Sequence, residues 1–316
     1  MRFVCPDGEE QYRRVLDERP VLEEGHELAW FDGRPADAAD WERRLAGAEG
    51  VASMWGLPSG VLTASPSIRV VSFAGSGAGS YVDLAEARRL GVTVCNVPSY
   101  GANAVAEHAF ALAFAVARSI PQGDRLVRSR DWRPGQTAGL ELRGRRLGVV
   151  GAGPVGMRAI ELGRALGLDV VAWTRSPSAE RSAALGVPFV GLEELFATAD
   201  VVTLHLAHVP GTEGIVDRRL LALLRPHAIL VNTARSQLVD EAALVELLAA
   251  GAFRGAGIDA FAQEPLPAAH PLLAAERVVL TPHVAFNTPE AATELIQAVV
   301  ANLLAFAAGA PQNTVC

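Results

Sequence analysis

The stretch LGVVGAGPVGMRAIELGRALGLDVVAWTRS, residues 147–176, constrains the fold more than any other part of the chain. An apolar run stops at a glycine turn, a helical pattern follows, and a second apolar run closes the unit. Gly151, Gly153 and Gly156 form G-x-G-x-x-G. In this pattern the first glycine permits a tight turn, the second lets backbone approach a pyrophosphate, and the third lets helix and strand pack closely. N–H groups at the helix start, Val155 among them, then face the phosphates. The unit predicts a dinucleotide site. Its position near the middle of the chain predicts that its domain is an insertion.

The second apolar run, DVVAW, is followed by Thr174, Arg175 and Ser176. A site selective for NAD carries an Asp or Glu there, which accepts from the ribose 2′-OH. Here Asp169 stands at the opposite end of the run, as a solvated strand-entry residue. No carboxylate repels a 2′-phosphate, Arg175 can pair with one, and Thr174 and Ser176 can donate hydrogen bonds to it. We therefore expect NADP(H) to be preferred, with NAD(H) as the lesser cofactor.

A chain of 316 residues exceeds what one core comfortably serves, and 50% hydrophobic residues supply material for two. Before the glycine unit, RFVCP, GVASMWG, IRVVSFAG and VTVCNVP read as strands separated by helical stretches. After it, VPFV, VVTLHL, AILVNTA, GAGIDAF and VVLTPHV continue the alternation. The predicted class is α/β: two Rossmann-like domains with doubly wound parallel sheets, the nucleotide domain inserted into a flavodoxin-like substrate domain. The expected boundaries are 1–100 with 286–316 for the substrate domain and 101–285 for the dinucleotide domain. The segment NAVAEHAFALAFAVARSI is apolar nearly all round, which predicts a helix buried between domains or between subunits. An irregular connection should follow it. The last helix has Thr288 to cap it, Pro289 at its first position and Gly309 at its stop, and should return to the first domain.

The net charge of −7, without basic clusters, argues against a nucleic-acid partner. The longest apolar run, 109–117, is too short to span a bilayer, and MRFVCPDGEE has no signal-peptide core. Cys5, Cys95 and Cys316 show neither disulfide nor zinc spacing. A cytoplasmic protein without metal, membrane or nucleic-acid partners is expected.

Three later stretches carry chemistry: NTARSQLVDEAAL, GAGIDAFAQEPLP and TPHVAFNTPEA. They place Arg235, Asp259, Glu264 and His283 at or just beyond the C-terminal ends of predicted strands, the edge where open α/β sheets bind ligands. Arg235 offers a planar fork of donors that suits a carboxylate and carbonyl pair. A protonated His283 can donate to a carbonyl oxygen as negative charge grows there, and act as base in reverse. A carboxylate beside an imidazolium stabilises it.

Together with DLAEARRLGVTVCNVPSYGANAVAEHAFAL and the glycine unit, these stretches resemble the D-isomer-specific 2-hydroxyacid dehydrogenase family over nearly the whole chain. That family includes glyoxylate/hydroxypyruvate reductases, phosphoglycerate dehydrogenases and D-lactate dehydrogenases. The resemblance implies reversible hydride transfer from NAD(P)H to a small 2-oxo acid, giving a D-2-hydroxy acid. It implies catalytic roles for Arg235, Glu264 and His283, with Glu264 as the carboxylate beside the imidazole. It places Asp259 at the nicotinamide end of the cofactor, with Thr233 and His283 among the cofactor contacts. SFAGSGAGSYVDL resembles the loop whose N–H groups, around Ser76 and Gly77, hold the substrate carboxylate. Met54 and Trp55 either wall the pocket or belong to the core, and the resemblance implies a homodimer through the nucleotide domain.

Several positions depart from the family pattern. The AGSGAGSYVD loop is one residue longer than the commoner form. Ser236 follows the arginine where Gly is usual, Ala207 replaces a proline beside an unexpected His208, and Phe286 and Asn287 replace small residues. These departures argue against transferring any one relative's substrate. Two other readings stay open: a non-catalytic NAD(P)-sensing protein, and a dehydrogenase of a phosphorus oxyacid.

Overall fold

The computed structural model describes residues 1–18 and 25–316. They divide into two compact units, Met1–Gly101 with Asn287–Cys316, and Ala102–Phe286.

The first unit is built on β1 (Arg2–Gly8), β2 (Glu27–Asp32), β3 (Gly50–Ser53), β4 (Val70–Phe73) and β5 (Thr93–Cys95). All pair in parallel in the order β2-β1-β3-β4-β5. The chain lays β2 on one side of β1 and β3 on the other. Such a reversal opens a crevice at the C-terminal ends of the strands. β2 is absent from the predicted strands. It is an edge strand with exposed charged residues, Glu27 and Asp32, at its ends, so it lacks a clean apolar alternation. The helix Pro289–Ala307 packs Leu295, Ile296, Val299 and Leu303 against Phe3, Cys5 and Val70. By length and composition this helix could cross a membrane, yet its apolar stripe is accounted for by that packing. Beyond it, Thr314 bridges to Cys95 in antiparallel fashion and covers the β5 edge.

The second unit contains β6 (Arg146–Val150), β7 (Asp169–Trp173), β8 (Val201–Leu204), β9 (Ile229–Asn232), β10 (Gly255–Ile258) and β11 (Val278–Leu280). Their order is β11-β10-β9-β8-β6-β7, again all parallel. Side chains alternate between two buried faces, as period-two geometry requires. Leu147, Val149, Val201, Ile229 and Val231 pack on one face, while Val150, Val202, Leu204 and Leu230 pack on the other.

The apolar helix Ala102–Ala117 is buried within this unit, against β9, β10 and the helix Pro154–Ala165. Its buried face is covered by elements of this same unit, while Val105 and Phe114 are only partly buried. It stops at Ser119, whose φ is 53°, and a second helix, Ile120–Arg128, occupies part of the segment between it and the polar connection. The strand expected at VPFV is only an isolated bridge between Phe189 and Ala172.

Glycine in β10 has a packing reason. A Cβ on Gly257 would lie 2.7 Å from Leu112 Cβ, so the helix Ala102–Ala117 approaches the strand only because the side chain is missing. Gly257→Ala should therefore lower stability by about 1–3 kcal/mol through overpacking, read as a reduced urea midpoint with an unchanged slope.

Candidate active site

β6 runs into Gly151, where φ is 105°. A side chain there would meet the carbonyl of His205, with a Cβ only 2.5 Å from its oxygen. At Gly156 a Cβ would sit 1.8 Å from the Gly151 oxygen, which no rotamer relieves. At Gly153 the space is open, and apart from its chain neighbours no atom of the described residues lies within 4 Å of the Cβ position. The helix Pro154–Ala165 starts from Gly153 without a side-chain cap, and Pro154 brings no N–H. The N–H groups of Val155 and Gly156 are therefore the helix-start donors left for an anion. The turn lies where β6 adjoins β8 and the strand order reverses.

At the end of β7, Arg175 and Ser176 are exposed. Among the described residues the Arg175 guanidinium has no hydrogen-bonding or ionic partner. Arg181, which no motif in the sequence marks, ties this turn to the glycine turn. It donates to Ser176 O at 2.7 Å and Thr174 Oγ1 at 3.4 Å, and to Ala152 O at 3.2 Å. Its guanidinium also lies over the Phe189 ring, 5.8 Å from the centroid.

Asn232 ends β9 and shapes the turn that carries Arg235. Its buried amide donates to Arg235 O at 2.9 Å, and its Oδ1 accepts from Ala234 N at 3.0 Å. Arg235 itself is half-buried and donates to Ala234 O at 2.7 Å. On the same turn the hydroxyls of Thr233 and Ser236 are buried without a hydrogen-bond partner among the described residues. Buried polar atoms of that kind normally answer to a group that completes the site.

Asp259, 1% exposed just beyond β10, is the hub of the next turn. Its Oδ1 accepts from Thr281 Oγ1 at 2.6 Å and Val284 N at 3.0 Å, and its Oδ2 from Ala285 N at 2.9 Å. His108 reaches the same place, with Nε2 3.0 Å from Thr281 Oγ1. These bonds bracket His283, which sits at φ 54°, a left-handed conformation that costs about 1–3 kcal/mol in a non-glycine residue. From this turn the imidazole faces Glu264. Nδ1 lies 3.0 and 2.9 Å from the two carboxylate oxygens, and Glu264 Oε1 also accepts from Phe261 N at 3.0 Å. Phe286 stands edge-on to the imidazole at 6.0 Å. Nε2 of His283 makes no polar contact among the described residues.

Arg235, Asp259, Glu264 and His283 thus share the C-terminal edge of neighbouring strands, since Asp259 N donates to Asn232 O at 3.0 Å across β9 and β10. Ser76 and Gly77 belong to the first unit. They follow β4 in a loop held by Asn96, whose amide donates to Ser76 O at 2.8 Å. Their N–H groups donate to no protein acceptor among the described residues. Of the remaining histidines, His270 is largely buried and engaged. It accepts from Leu272 N at 3.3 Å and contacts Glu241 at 3.0 Å with a side chain only 16% exposed.

His205, beside the glycine turn, is only half-buried as a residue. Even so, desolvation of its imidazole pushes its pKa from the usual 6.5 down to about 4. Between those values the unfolded chain binds a proton that the folded chain refuses. Its contribution to stability is full above about pH 6.5 and is lost as pH falls to about 4. Discounted for its exposure, this is on the order of 1–2 kcal/mol. Urea titrations of the wild type and His205→Gln across this window should show a shallower pH slope in the variant.

Residues 110–285 match the family model described as D-isomer specific 2-hydroxyacid dehydrogenase, NAD binding domain. A glyoxylate reductase of Korarchaeum cryptofilum is 34% identical over 312 residues, covering 96% of this chain and 94% of the relative. A D-3-phosphoglycerate dehydrogenase of Mycobacterium tuberculosis is 38% identical over 265 residues, 84% of this chain and 50% of the relative. The chain therefore spans about half the length of such relatives. The crystal structure of the TT0316 protein from Thermus thermophilus superposes with a TM-score of 0.86 at 34% identity, over 100% of both chains. The glycine turn, the parallel sheet around it and these matches place the chain in the D-isomer specific 2-hydroxyacid dehydrogenase family.

Proposed function

We propose that the protein reduces a small 2-oxo acid to a D-2-hydroxy acid, reversibly and with NADP(H) preferred over NAD(H). The observation that carries this reading is the Glu264–His283 pair, with Nδ1 committed to the carboxylate and Nε2 left free. In this reading Ala102–Phe286 is the dinucleotide domain, and Met1–Gly101 with Asn287–Cys316 is the substrate domain.

The residues fit a dinucleotide. Gly153 leaves open space at the helix start, Val155 and Gly156 present N–H groups, and Thr233 holds a buried hydroxyl in want of a partner. Asp259 Oδ2 accepts one hydrogen bond and keeps acceptor capacity for the nicotinamide end. The bound reduced cofactor supplies the hydride. Arg235 grips the carboxylate of the substrate and orients its carbonyl. His283 Nε2–H donates to the carbonyl oxygen as charge develops there. Glu264 stabilises the imidazolium and fixes its ring orientation, while Asp259 keeps the His283 turn in place. The N–H groups of Ser76 and Gly77 are assigned to the substrate carboxylate.

Arg175 favours the phosphorylated cofactor. It is an exposed cation without an ionic partner among the described residues, on a turn without a carboxylate, and Thr174 and Ser176 flank it. A homodimer is also proposed, through the segment after helix Ala102–Ala117. There Ile120, Val127 and Trp132 are 55%, 58% and 80% exposed, an apolar set that a second copy would cover.

Steady-state reduction of glyoxylate and hydroxypyruvate with NADPH and NADH tests the reading. His283→Ala should lower kcat by about 10²- to 10⁴-fold. Arg175→Ala should raise KM for NADPH by about tenfold or more while leaving KM for NADH nearly unchanged, as loss of a charge-assisted bond predicts. A wild type that prefers NADH would overturn the cofactor preference and leave the chemistry standing.

A further inference from the structure

The first unit carries, at the C-terminal edge of its sheet, an exposed cation beside an exposed aromatic plane. Arg34, in the loop after β2, places its guanidinium carbon 4.8 Å from the ring centroid of Trp55, in the loop after β3. Trp55 is 41% exposed. Both loops are held by charged side chains. Asp7, 1% exposed in β1, accepts from Met54 N at 2.9 Å, Trp55 N at 2.7 Å and Ser53 Oγ at 3.3 Å. Arg44 donates to Gly33 O and Pro6 O, each at 2.7 Å, while Asp40 accepts from Ala36 N at 3.1 Å. The pair is therefore preorganised on the backbone.

Its charge is left uncompensated. Two carboxylates lie near Arg34 in sequence, and both are engaged elsewhere. Asp32 pairs with Arg13 at 2.7 Å and accepts from Trp30 Nε1 at 3.0 Å. Asp37 caps the helix Ala38–Leu45 through Asp40 N at 2.9 Å. Among the described residues Arg34 has no anionic partner.

The loop that holds Trp55 adjoins the loop of Ser76 and Gly77. β3 and β4 pair through Ser53 and Phe73, Ala74 N donates to Ser53 O at 2.8 Å, and Leu57 N donates to Tyr81 O at 2.9 Å. Adjacent strand ends lie about 5 Å apart, so the two loops border one another at the same edge of the sheet.

We propose that Arg34 and Trp55 form a subsite for an anionic group at the far end of the substrate. The substrate is then a 2-oxo acid whose side chain ends in a second carboxylate or a phosphate. The guanidinium fork takes the anionic oxygens, and the indole face holds the fork in plane. This rests on the proposed reduction of a 2-oxo acid, with the first carboxylate near Ser76 and Gly77.

Paired substrates test it in the full chain with NADPH: oxaloacetate against pyruvate, and 3-phosphohydroxypyruvate against hydroxypyruvate, with glyoxylate as reference. The wild type should favour the member with the distal anion by tenfold or more in kcat/KM in at least one pair, and the pair that responds identifies carboxylate or phosphate. Arg34→Ala should collapse that ratio at least tenfold, chiefly through KM, and Arg34→Lys should restore part of it. Glyoxylate turnover without preference in either pair overturns the subsite alone. So does an Arg34→Ala variant that loses both members of a pair equally. Absence of turnover with every 2-oxo acid, glyoxylate included, overturns the proposed reaction and the subsite with it.

Discussion

Asp259 accepts hydrogen bonds from Thr281 Oγ1 and from the backbone of Val284 and Ala285, and those bonds hold His283 in a left-handed conformation that its own side chain disfavours. The imidazole meets Glu264 only because that turn is fixed. The carboxylate can be buried there because donors surround it. His108, from the apolar helix Ala102–Ala117, adds a contact at Thr281, so a core helix also bears on the geometry of the site. The close approach of that helix to β10 at Gly257 joins the packing of the unit to the same turn.

A similar device recurs in the first unit. Asp7 stands inside the C-terminal end of β1 and gathers the backbone of Met54 and Trp55. Burial raises the pKa of its carboxyl, while hydrogen bonds from Met54, Trp55 and Ser53 pull it down. In both units a carboxylate below the sheet edge fixes a loop above it. The exposed side chains are thereby positioned by rigid elements rather than by long flexible loops.

Much of this was legible in the sequence because local chemistry carried it. G-x-G-x-x-G at 151–156 has three different steric reasons for its three glycines, and all three act within a few residues. The parallel sheets followed from apolar runs alternating with helices. Other features depend on partners distant in sequence. Arg181 touches Ala152 from 29 residues away, and no local pattern marks it. Asp7 reads as an ordinary strand-end acid until the loop after β3 folds over it. β2 is hidden from pattern reading because an edge strand needs no second buried face. The apolar helix Ala102–Ala117 has its buried face covered by neighbours in the same unit, which its all-round apolar pattern does not reveal. Asn232 lies within the NTAR stretch, yet its role as the brace for Arg235 emerges only when the turn closes.

The helix Pro289–Ala307 has a consequence for the order in which the chain becomes stable. It supplies one face of the core over Phe3, Cys5 and Val70, although most of the sequence separates it from them. During synthesis that face of the first sheet stays uncovered while the unit Ala102–Phe286 emerges with every one of its strands and can close on itself. The earlier segment is thus completed only by the later one. Until then, its apolar strands need protection from other chains, a burden that falls on the nascent state and leaves no mark on the finished fold.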